Sequence, residues 1–266
     1  MTLPPTTVGI PLHRSSRWVD VVSDTIRTLP ADITEIIVSD RTLLDDAAET
    51  LREQWAHDPR VRVVTAADGL HWTAHLQSIL EQASGEYFCW MPHDDSADQS
   101  WVPTLVHALE RHPDAWLAHG TLRPVLADGI TPHATWAAVE PPSGPIGQRS
   151  LDDLMLAGRL GVPFRGVVRR AEVIRSGIRL EEVHGSQMAD LAWVYRIGLR
   201  APIVGDPGTA TRKRVHADST FIYWTRTPGD LARLALAILE NEGPRGMSGA
   251  LRRARMRRAV TAASRS

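Results

Sequence analysis

The sequence predicts an α/β fold in which helices flank a mostly parallel central sheet. Short segments rich in β-branched or aromatic residues alternate with amphipathic segments through four successive strands. Parallel neighbours need a crossover connection, and a helix is its usual form. A chain of 266 residues with 43% hydrophobic residues is long and apolar enough for one large core or two small ones.

Six segments are expected to be strands. The first four are short, carry the β-branched or aromatic residues that suit a sheet, and are bounded by turn formers. The expected strands are Thr6–Leu12, Ile33–Ser39, Val61–Thr65, Glu86–Met91, Ala115–Ala118 and Phe164–Val168.

The segments between and after these strands show helical periodicity, with apolar residues three or four positions apart. By contrast, five prolines between Thr121 and Ser150 predict a hairpin and a long loop region. The expected helices are Ser16–Leu29, Leu43–Trp55, Trp72–Ala83, Trp101–Glu110, Leu151–Ala157, Gln187–Leu199, Asp230–Glu240 and Leu251–Ala262.

Composition excludes several classes of protein. No stretch reaches the roughly 18 to 20 apolar residues needed to span a bilayer, and the N-terminus lacks the basic and apolar regions of a signal peptide. We therefore expect a cytoplasmic, soluble protein. The single cysteine, Cys89, lies in an apolar run and cannot form an internal disulfide, which argues against redox chemistry or a cysteine-based zinc site. No motif of a nucleic-acid-binding module is present.

The charge of the chain is unevenly distributed. Seven of the 30 basic residues and none of the 31 acidic ones lie between Arg245 and Ser266, so an acidic body carries a basic tail. This tail could contact an anionic membrane surface weakly, each arginine contributing about 1 kcal/mol. Its apolar face is poor, however, which favours a solvated or disordered terminus. Lys213 is the only lysine, which we attribute to codon composition.

Two of the expected strands run into aspartates. The second ends in Val38-Ser39-Asp40, and the fourth is followed by Pro92-His93-Asp94-Asp95. In open α/β sheets ligands bind outside the carboxyl ends of the strands, so these acids would share one cleft and repel one another without a cation. Mg²⁺ or Mn²⁺ on a diphosphate would suit such a cleft. The alternative is that Asp94, Asp95 and Ser96 cap the following helix.

Several separated motifs, taken in order, resemble a family 2 glycosyltransferase with the GT-A fold. The resemblance covers roughly residues 6 to 220 and is stronger up to Gly120. It implies a single GT-A catalytic domain over residues 1–243, with a donor-nucleotide half at 1–120 and an acceptor half at 121–243, followed by an Arg-rich tail at 244–266. The motifs are VGIPLHR, EIIVSDRTLLDD, DPRVRVV, the run from HWTAHL through GEYFCWMPHDD, GVVRR and ADLAW.

The resemblance also implies roles for individual residues. Asp40 matches the aspartate that contacts the nucleotide base, and Pro11 and His13 stand in the loop beside it. Asp94 matches the last position of the DxD-type motif, which binds the metal on the donor diphosphate, with Asp95 as its supporting neighbour and second candidate ligand. Asp190 matches the catalytic base of inverting members. His216 resembles part of a late H-x-x-S element near the donor phosphates.

This sequence departs from the family pattern at several positions. Pro92 replaces the first aspartate of the motif, although an HDD form occurs in this branch of the family, so one strong metal ligand is expected instead of two. Arg41 follows Asp40 in place of an acid or asparagine, Ala189 stands where a glutamate often precedes the base, and Thr73 replaces an asparagine. The usual Gly-Ser-Thr turn is here Thr42-Leu43-Leu44.

The function that the resemblance implies is metal-dependent, inverting transfer of a sugar from a UDP- or GDP-sugar to a glycan, lipid-linked or small-molecule acceptor. Two alternatives remain open: a degenerate GT-A domain that binds without turnover, and a nucleotidyltransferase. The latter normally carries an early Gly-rich, basic loop, whereas HRSSRW has no glycine.

Structural roles compete with several of these assignments. Asp190 could simply begin a helix, after Gly185-Ser186, and His216 could belong to an exposed charged loop. The remaining candidates lie in apolar patterns, where core packing is the expected role. They are Trp72, His75, Cys89, Trp90 and Trp193.

Overall fold

The computed structural model describes residues 2–41, 45–67, 69–183, 187–219 and 226–264. Within these ranges one sheet of nine strands runs through the molecule. The strands are β1 (Thr6–Leu12), β2 (Glu35–Asp40), β3 (Val61–Thr65), β4 (Tyr87–Trp90), β5 (Ser96–Ala97), β6 (Leu117–Leu126), β7 (Gly144–Ile146), β8 (Val167–Arg169) and β9 (Ile203–Val215).

The sheet has a parallel half and a mixed half. In the order β3-β2-β1-β4 all neighbours are parallel. β8 then lies antiparallel between β4 and β6, while β6 and β9 pair in parallel. The short strands β5 and β7 both lie antiparallel to β9. The parallel half is the arrangement that the strand–helix alternation predicts, and the α/β fold class is confirmed.

Helices cover both faces of the sheet, and the side-chain alternation of the strands divides the core in two. Ile36 and Val38 of β2 belong to one hydrophobic cluster and Ile37, between them, belongs to the other. No helix in the described ranges is both long and apolar enough to cross a membrane. The helices are α1 (Val19–Thr28), α2 (Ala47–Gln54), α3 (Trp72–Gln82), α4 (Trp101–Arg111), α5 (Gln148–Leu156), α6 (Arg170–Arg175), α7 (Ala189–Arg200), α8 (Pro228–Asn241) and α9 (Met247–Ala263), with 3₁₀ turns at Ser16–Trp18 and Pro163–Arg165.

The expected elements of the first half agree with the structure to within a few residues, but the second half contains elements that the sequence did not predict. The long strand β9 was missed, as were β5, β7 and α6. The expected loop after Thr121 instead continues β6 to Leu126, and the chain then folds back through bridges from Leu122 to Val139 and from Val125 to Pro132. The Thr42-Leu43-Leu44 turn lies outside the described residues.

Pairing between β6 and β9 explains why β9 is hard to recognise. The register shifts so that His119 pairs with Gly205 but Thr121 pairs with Ala210, and the intervening Asp-Pro-Gly stretch of β9 bulges out. Turn-forming residues inside a strand, followed by three consecutive cations, hide the alternation that marks a strand.

The short strand β8 depends on a glycine and an arginine of the GVVRR motif. A Cβ on Gly166 would lie 2.2 Å from the backbone oxygen of Ala118, so only glycine fits at this crossing. Arg169 donates to the backbone oxygens of Ala115 (3.1 Å) and Leu109 (2.8 Å). Both residues therefore hold β8 between its two neighbours.

The expectation of a solvated or disordered C-terminus is wrong for residues 247–263, which form α9. Met256 is fully buried, and Arg252 Nε donates to Asp152 Oδ2 at 3.0 Å. Asp152 itself is buried and also accepts a 2.7 Å hydrogen bond from Tyr195. Arg257 pairs with Glu240 at 2.8 Å. Much of the positive charge of this tail is thus used within the fold, which weakens the case for a lipid-binding role.

We expect Arg252→Ala to lower the free energy of unfolding by about 3 kcal/mol, because it removes the closest ionic partner of the buried Asp152 carboxylate and leaves Arg255 at 3.9 Å. Urea denaturation at pH 7 measures this change. Arg258→Ala is the matched control, since Arg258 is exposed on the same helix; its effect should stay within about 0.5 kcal/mol. Equal effects of the two substitutions would show that the Arg252–Asp152 pair contributes nothing specific.

A buried histidine joins α3 to the end of β2. His75 is 2% exposed, and its Nε2 lies 2.9 Å from Ser39 Oγ. Burial, together with the nearby charge of Arg41, lowers the pKa of His75 from 6.5 to about 4. The native state therefore keeps His75 neutral at pH values where the unfolded chain would protonate it. This agrees with the structural role expected for His75.

His75 makes stability depend on pH in a defined direction. Below pH 6.5 the histidine of the unfolded state binds a proton, whereas His75 of the native state stays neutral down to about pH 4. The native state therefore loses stability as the pH falls from 6.5 towards about 4, and above pH 6.5 this group has no effect on stability. We expect wild type to lose about 2 kcal/mol more stability than His75→Gln between pH 7 and pH 5. Parallel stability curves for the two proteins in urea at these pH values would refute this assignment.

Candidate active site

A cleft of about 1440 Å³ opens at the carboxyl ends of the parallel strands β1, β2 and β4. Five of the seven predicted site residues line it, and they come from both halves of the chain. The other two, Asp40 and Asp95, are buried, with exposures of 2% and 1%. The five lining residues are Pro11, His13, Asp94, Asp190 and His216.

Asp94 lies in the turn after β4 and is paired with His216. His216 Nε2 lies 3.0 Å from Asp94 Oδ2, and the side chains are 10% and 18% exposed. The ring of His216 also packs on Trp18, with centroids 5.0 Å apart. Burial alone would raise the pKa of Asp94, but the hydrogen bond from His216 and the charges of His93 and Lys213 hold it well below its usual range. Asp94 therefore presents a carboxylate to the cleft at neutral pH.

Asp95 faces away from the cleft and ties three segments together. Its Oδ2 accepts a 3.1 Å hydrogen bond from Arg165 Nε, and its Oδ1 accepts a 3.0 Å bond from the backbone N–H of Arg214. Burial and the neighbouring charge of Asp94 raise the pKa of Asp95, and Arg165 opposes this effect. Its carboxylate thus supports the turn after β4 from beneath. The Asp94-Asp95-Ser96 stretch does not cap a helix, since Ser96 enters β5 and α4 begins at Trp101.

The end of the cleft near β1 and β2 holds the residues predicted to contact the nucleotide. Arg41 Nη2 lies 3.0 Å from His13 Nδ1, and His93 Nδ1 lies 3.1 Å from the backbone oxygen of Pro11. Burial and the charges around it, chiefly that of Arg41, lower the pKa of His13. Asp40 is the last residue of β2, and its charge acts on both His13 and Arg41. The departure at Arg41 thus places a cation beside the predicted base-binding residues.

Asp190 is the second residue of α7 and lines the cleft. Its Oδ1 accepts a 2.9 Å hydrogen bond from the backbone N–H of Leu191. Burial raises the pKa of Asp190, against the lowering effect of Arg226 and of that hydrogen bond. Gly161 lies against Asp190. A Cβ added at Gly161 would lie only 3.0 Å from Asp190 Oδ2. Gly185 and Ser186, which precede the helix, lie outside the described residues.

Lys213 is a cleft residue to which the sequence analysis gave no role. It lies on β9 opposite Pro124 of β6 and lines the cleft. Burial and the charge of Arg165 lower the pKa of Lys213 to about 8, while the charges of Asp95, Asp94 and Asp190 oppose that shift. The signal in the sequence that could have identified Lys213 is that it is the single lysine among 30 basic residues.

The tryptophans divide between core and cleft. Trp90 and Trp193 are 2% and 1% exposed and pack edge to face at 5.1 Å, which confirms their core role. Trp72 packs against the core as expected, but it is only partly buried and also lines the cleft. Two further tryptophans that the sequence analysis did not single out, Trp18 and Trp136, also line the cleft.

The donor groups around Asp94 fit a divalent cation held jointly by protein and substrate. Across the residues that the structure describes, no group of three or more histidine, cysteine, aspartate or glutamate side chains could hold a metal by itself. Mg²⁺ commonly takes one or two protein carboxylates and completes its shell with substrate phosphates and water. The cleft-facing carboxylate of Asp94 fits this mode, and the buried Asp95 supports it from below.

Comparison with known proteins agrees with this geometry. The family model described as Glycosyl transferase family 2 matches residues 7–155 of the chain. The uncharacterized protein y4gI of Sinorhizobium fredii (strain NBRC 101917 / NGR234) is 34% identical over 82 residues, which is 30% of this chain. That matched segment spans only 9% of the length of the curated relative.

Solved structures of S. aureus TarS share the fold. TarS 1–349 in complex with UDP-GlcNAc matches with a TM-score of 0.71 and 13% identity, over 97% of this chain and 73% of that one. The same TarS segment in complex with UDP matches with a TM-score of 0.68 and 14% identity, over 96% of this chain and 69% of that one. A further S. aureus TarS structure matches with a TM-score of 0.66 and 12% identity, over 96% of this chain and 42% of that one.

The match to the family model covers more than half of the chain, and the structural neighbours share its arrangement of strands and helices. The GT-A fold expected from the sequence is therefore confirmed. The chain belongs to glycosyl transferase family 2.

Proposed function

We propose that this protein transfers a sugar from a nucleoside diphosphate sugar to an acceptor hydroxyl. The observation that carries the proposal is the meeting of Asp94, Lys213 and Asp190 in one cleft at the carboxyl ends of the parallel strands. These residues offer a carboxylate for a metal, a cation and a partly buried base. The volume of the cleft, about 1440 Å³, exceeds that of most small-molecule pockets, which leaves room for an acceptor beside the donor.

In this proposal the donor lies along the β1–β2–β4 edge of the cleft. The nucleotide contacts Pro11 and His13, the buried Asp40 lies behind them at the end of β2, and the diphosphate lies near Asp94 and His216. TarS structures hold UDP-GlcNAc and UDP, which supports a uridine nucleotide as the first candidate. A guanosine nucleotide is the second. We also propose that the protein works in the cytoplasm.

Asp190 is proposed as the general base. A carboxylate whose pKa is raised by burial is a better proton acceptor near neutral pH than an ordinary aspartate. Asp190 takes the proton of the acceptor hydroxyl as its oxygen attacks the anomeric carbon. The bond between that carbon and the diphosphate oxygen breaks, and the electron pair leaves with the nucleoside diphosphate. One displacement of this kind inverts the anomeric configuration.

A divalent cation, Mg²⁺ or Mn²⁺, would be held by Asp94 and would supply Lewis-acid stabilisation of the leaving diphosphate. His216 orients the Asp94 carboxylate through its 3.0 Å hydrogen bond. Asp95 keeps the turn in place through Arg165 and the backbone of β9.

The first test is calorimetric titration with UDP and with GDP, with and without Mn²⁺. We expect one nucleotide to bind in the presence of Mn²⁺, and Asp94→Ala to lose most of that binding. Because Asp94 lines the cleft while the adjacent Asp95 is buried, the turn after β4 offers a metal one carboxylate, and Mn²⁺ without a nucleotide should bind weakly or not at all.

Asp45→Ala is the control for this titration, since it removes another acid of the cleft lining that lies outside the turn after β4. Loss of binding in both variants would point to a general charge effect. Failure of the folded wild type to bind either nucleotide would argue against the donor site.

The second test concerns the base. We expect Asp190→Asn to bind the nucleotide as wild type does but to lower turnover by a factor of about 10² to 10⁴, because the acceptor proton has no base. Release of nucleoside diphosphate from the donor measures turnover, and the anomeric coupling constant of the product in NMR gives its configuration. Retention of configuration would contradict the single displacement, and absence of turnover in the wild type despite nucleotide binding would favour a non-catalytic binding domain.

A further inference from the structure

Lys213 occupies a position that none of its neighbours on β9 shares. Three cations follow one another in Arg212-Lys213-Arg214, and strand geometry sends alternate side chains to opposite faces. Arg212 pairs with Asp98, and Arg214 donates to the backbone oxygen of Asp94 at 2.7 Å. Lys213 alone of the three lines the cleft.

Lys213 shares the cleft with Asp94 of the turn after β4 and with the proposed base Asp190. Asp94, Asp95 and Asp190 all interact with its ammonium group, and Arg165 repels it. Asp95 is already hydrogen-bonded by Arg165 and by the Arg214 backbone. Lys213 therefore lines the same cleft as Asp94 and Asp190, within range of the charges of both.

The chemical type of the side chain suits this place. The other 29 basic residues of the chain are arginines. A lysine ammonium is a compact point charge, whereas a guanidinium is a broad planar group that needs more space and a planar partner. A small cation fits the cleft wall that also holds Arg165, and its flexible stem can follow a phosphate oxygen whose charge changes during the reaction.

We propose that Lys213 binds the donor diphosphate and neutralises the negative charge that develops on it as the sugar leaves. The inference rests on the proposed transferase function. In the step, the acceptor oxygen forms a bond to the anomeric carbon, and its proton goes to Asp190. The bond from that carbon to the terminal phosphate oxygen breaks, and the electron pair stays on that oxygen, next to the Lys213 ammonium. Lys213 thereby supplies part of the stabilisation that the missing first aspartate of the motif, replaced by Pro92, cannot provide through a metal.

The experiment compares binding of UDP, UDP-GlcNAc and uridine to wild type and to Lys213→Gln, in the presence of Mn²⁺. If GDP is the nucleotide that wild type binds, GDP, GDP-mannose and guanosine take their places. We expect Lys213→Gln to weaken UDP binding about ten- to a hundredfold and to leave the neutral nucleoside unchanged. The loss for UDP should exceed the loss for UDP-GlcNAc, because the terminal phosphate gains charge when the sugar leaves.

Arg212→Gln is the matched control, because it removes the same charge one residue away on the other face of β9. Its UDP affinity should remain within about threefold of wild type, since the Arg212 charge is paired with Asp98 and lies outside the cleft lining. An equal loss in Arg212→Gln would overturn the proposal in favour of a long-range charge effect. Loss of nucleoside binding together with UDP binding would overturn it in favour of a structural role for Lys213.

Two further outcomes separate this inference from the proposed function. If wild type binds UDP and Lys213→Gln binds it equally well, the inference fails while the donor site stands. If the losses for UDP and UDP-GlcNAc are equal, Lys213 does not respond to the charge of the leaving group, and the proposal is overturned. If wild type binds no nucleotide, the proposed function and this inference fall together.

Discussion

The buried carboxylate of Asp95 is the interaction on which the candidate site depends. It joins the turn after β4 to Arg165, the last residue of the Pro163–Arg165 turn, and to the backbone of Arg214 on β9. These three segments lie far apart in the chain, yet they carry Asp94, the wall around Asp190, and Lys213. A charge this deeply buried must be paired and hydrogen-bonded, so its partners are held in fixed positions. The geometry of the cleft follows from that requirement.

The cleft combines charges of both signs inside a body that is acidic overall. The Asp94 carboxylate stays ionised because His216 and nearby cations outweigh the effect of burial, whereas burial raises the pKa of Asp190. Two carboxylates of one cleft are thereby shifted in opposite directions by their surroundings. Such a separation suits different roles, one as a permanent anion for a cation and the other as a proton acceptor.

The second half of the molecule relies on contacts distant in sequence. The β6–β9 pairing shifts register around Gly120, whose Cβ would lie 2.6 Å from the backbone oxygen of Thr209. The C-terminal helix is likewise held by Arg252 on the buried Asp152. The composition of this arginine-rich segment is that of a solvated tail. The segment nevertheless packs on the core as a helix, because Arg252 neutralises a buried acid of another helix.

Local sequence determined the alternation of strands and helices up to α4, the acids at the ends of β2 and β4, and the order of motifs that marks the family. Periodicity and turn chemistry are encoded within short windows, which is why β1 and β3 were predicted at their observed bounds. Only the tertiary structure decided that Asp94 faces the cleft while adjacent Asp95 lies beneath it, that β9 forms at all, and that Lys213 lines the same cleft as Asp94 and Asp190. These features arise from pairing between distant segments and from the burial of charge, and neither leaves a local pattern in the sequence.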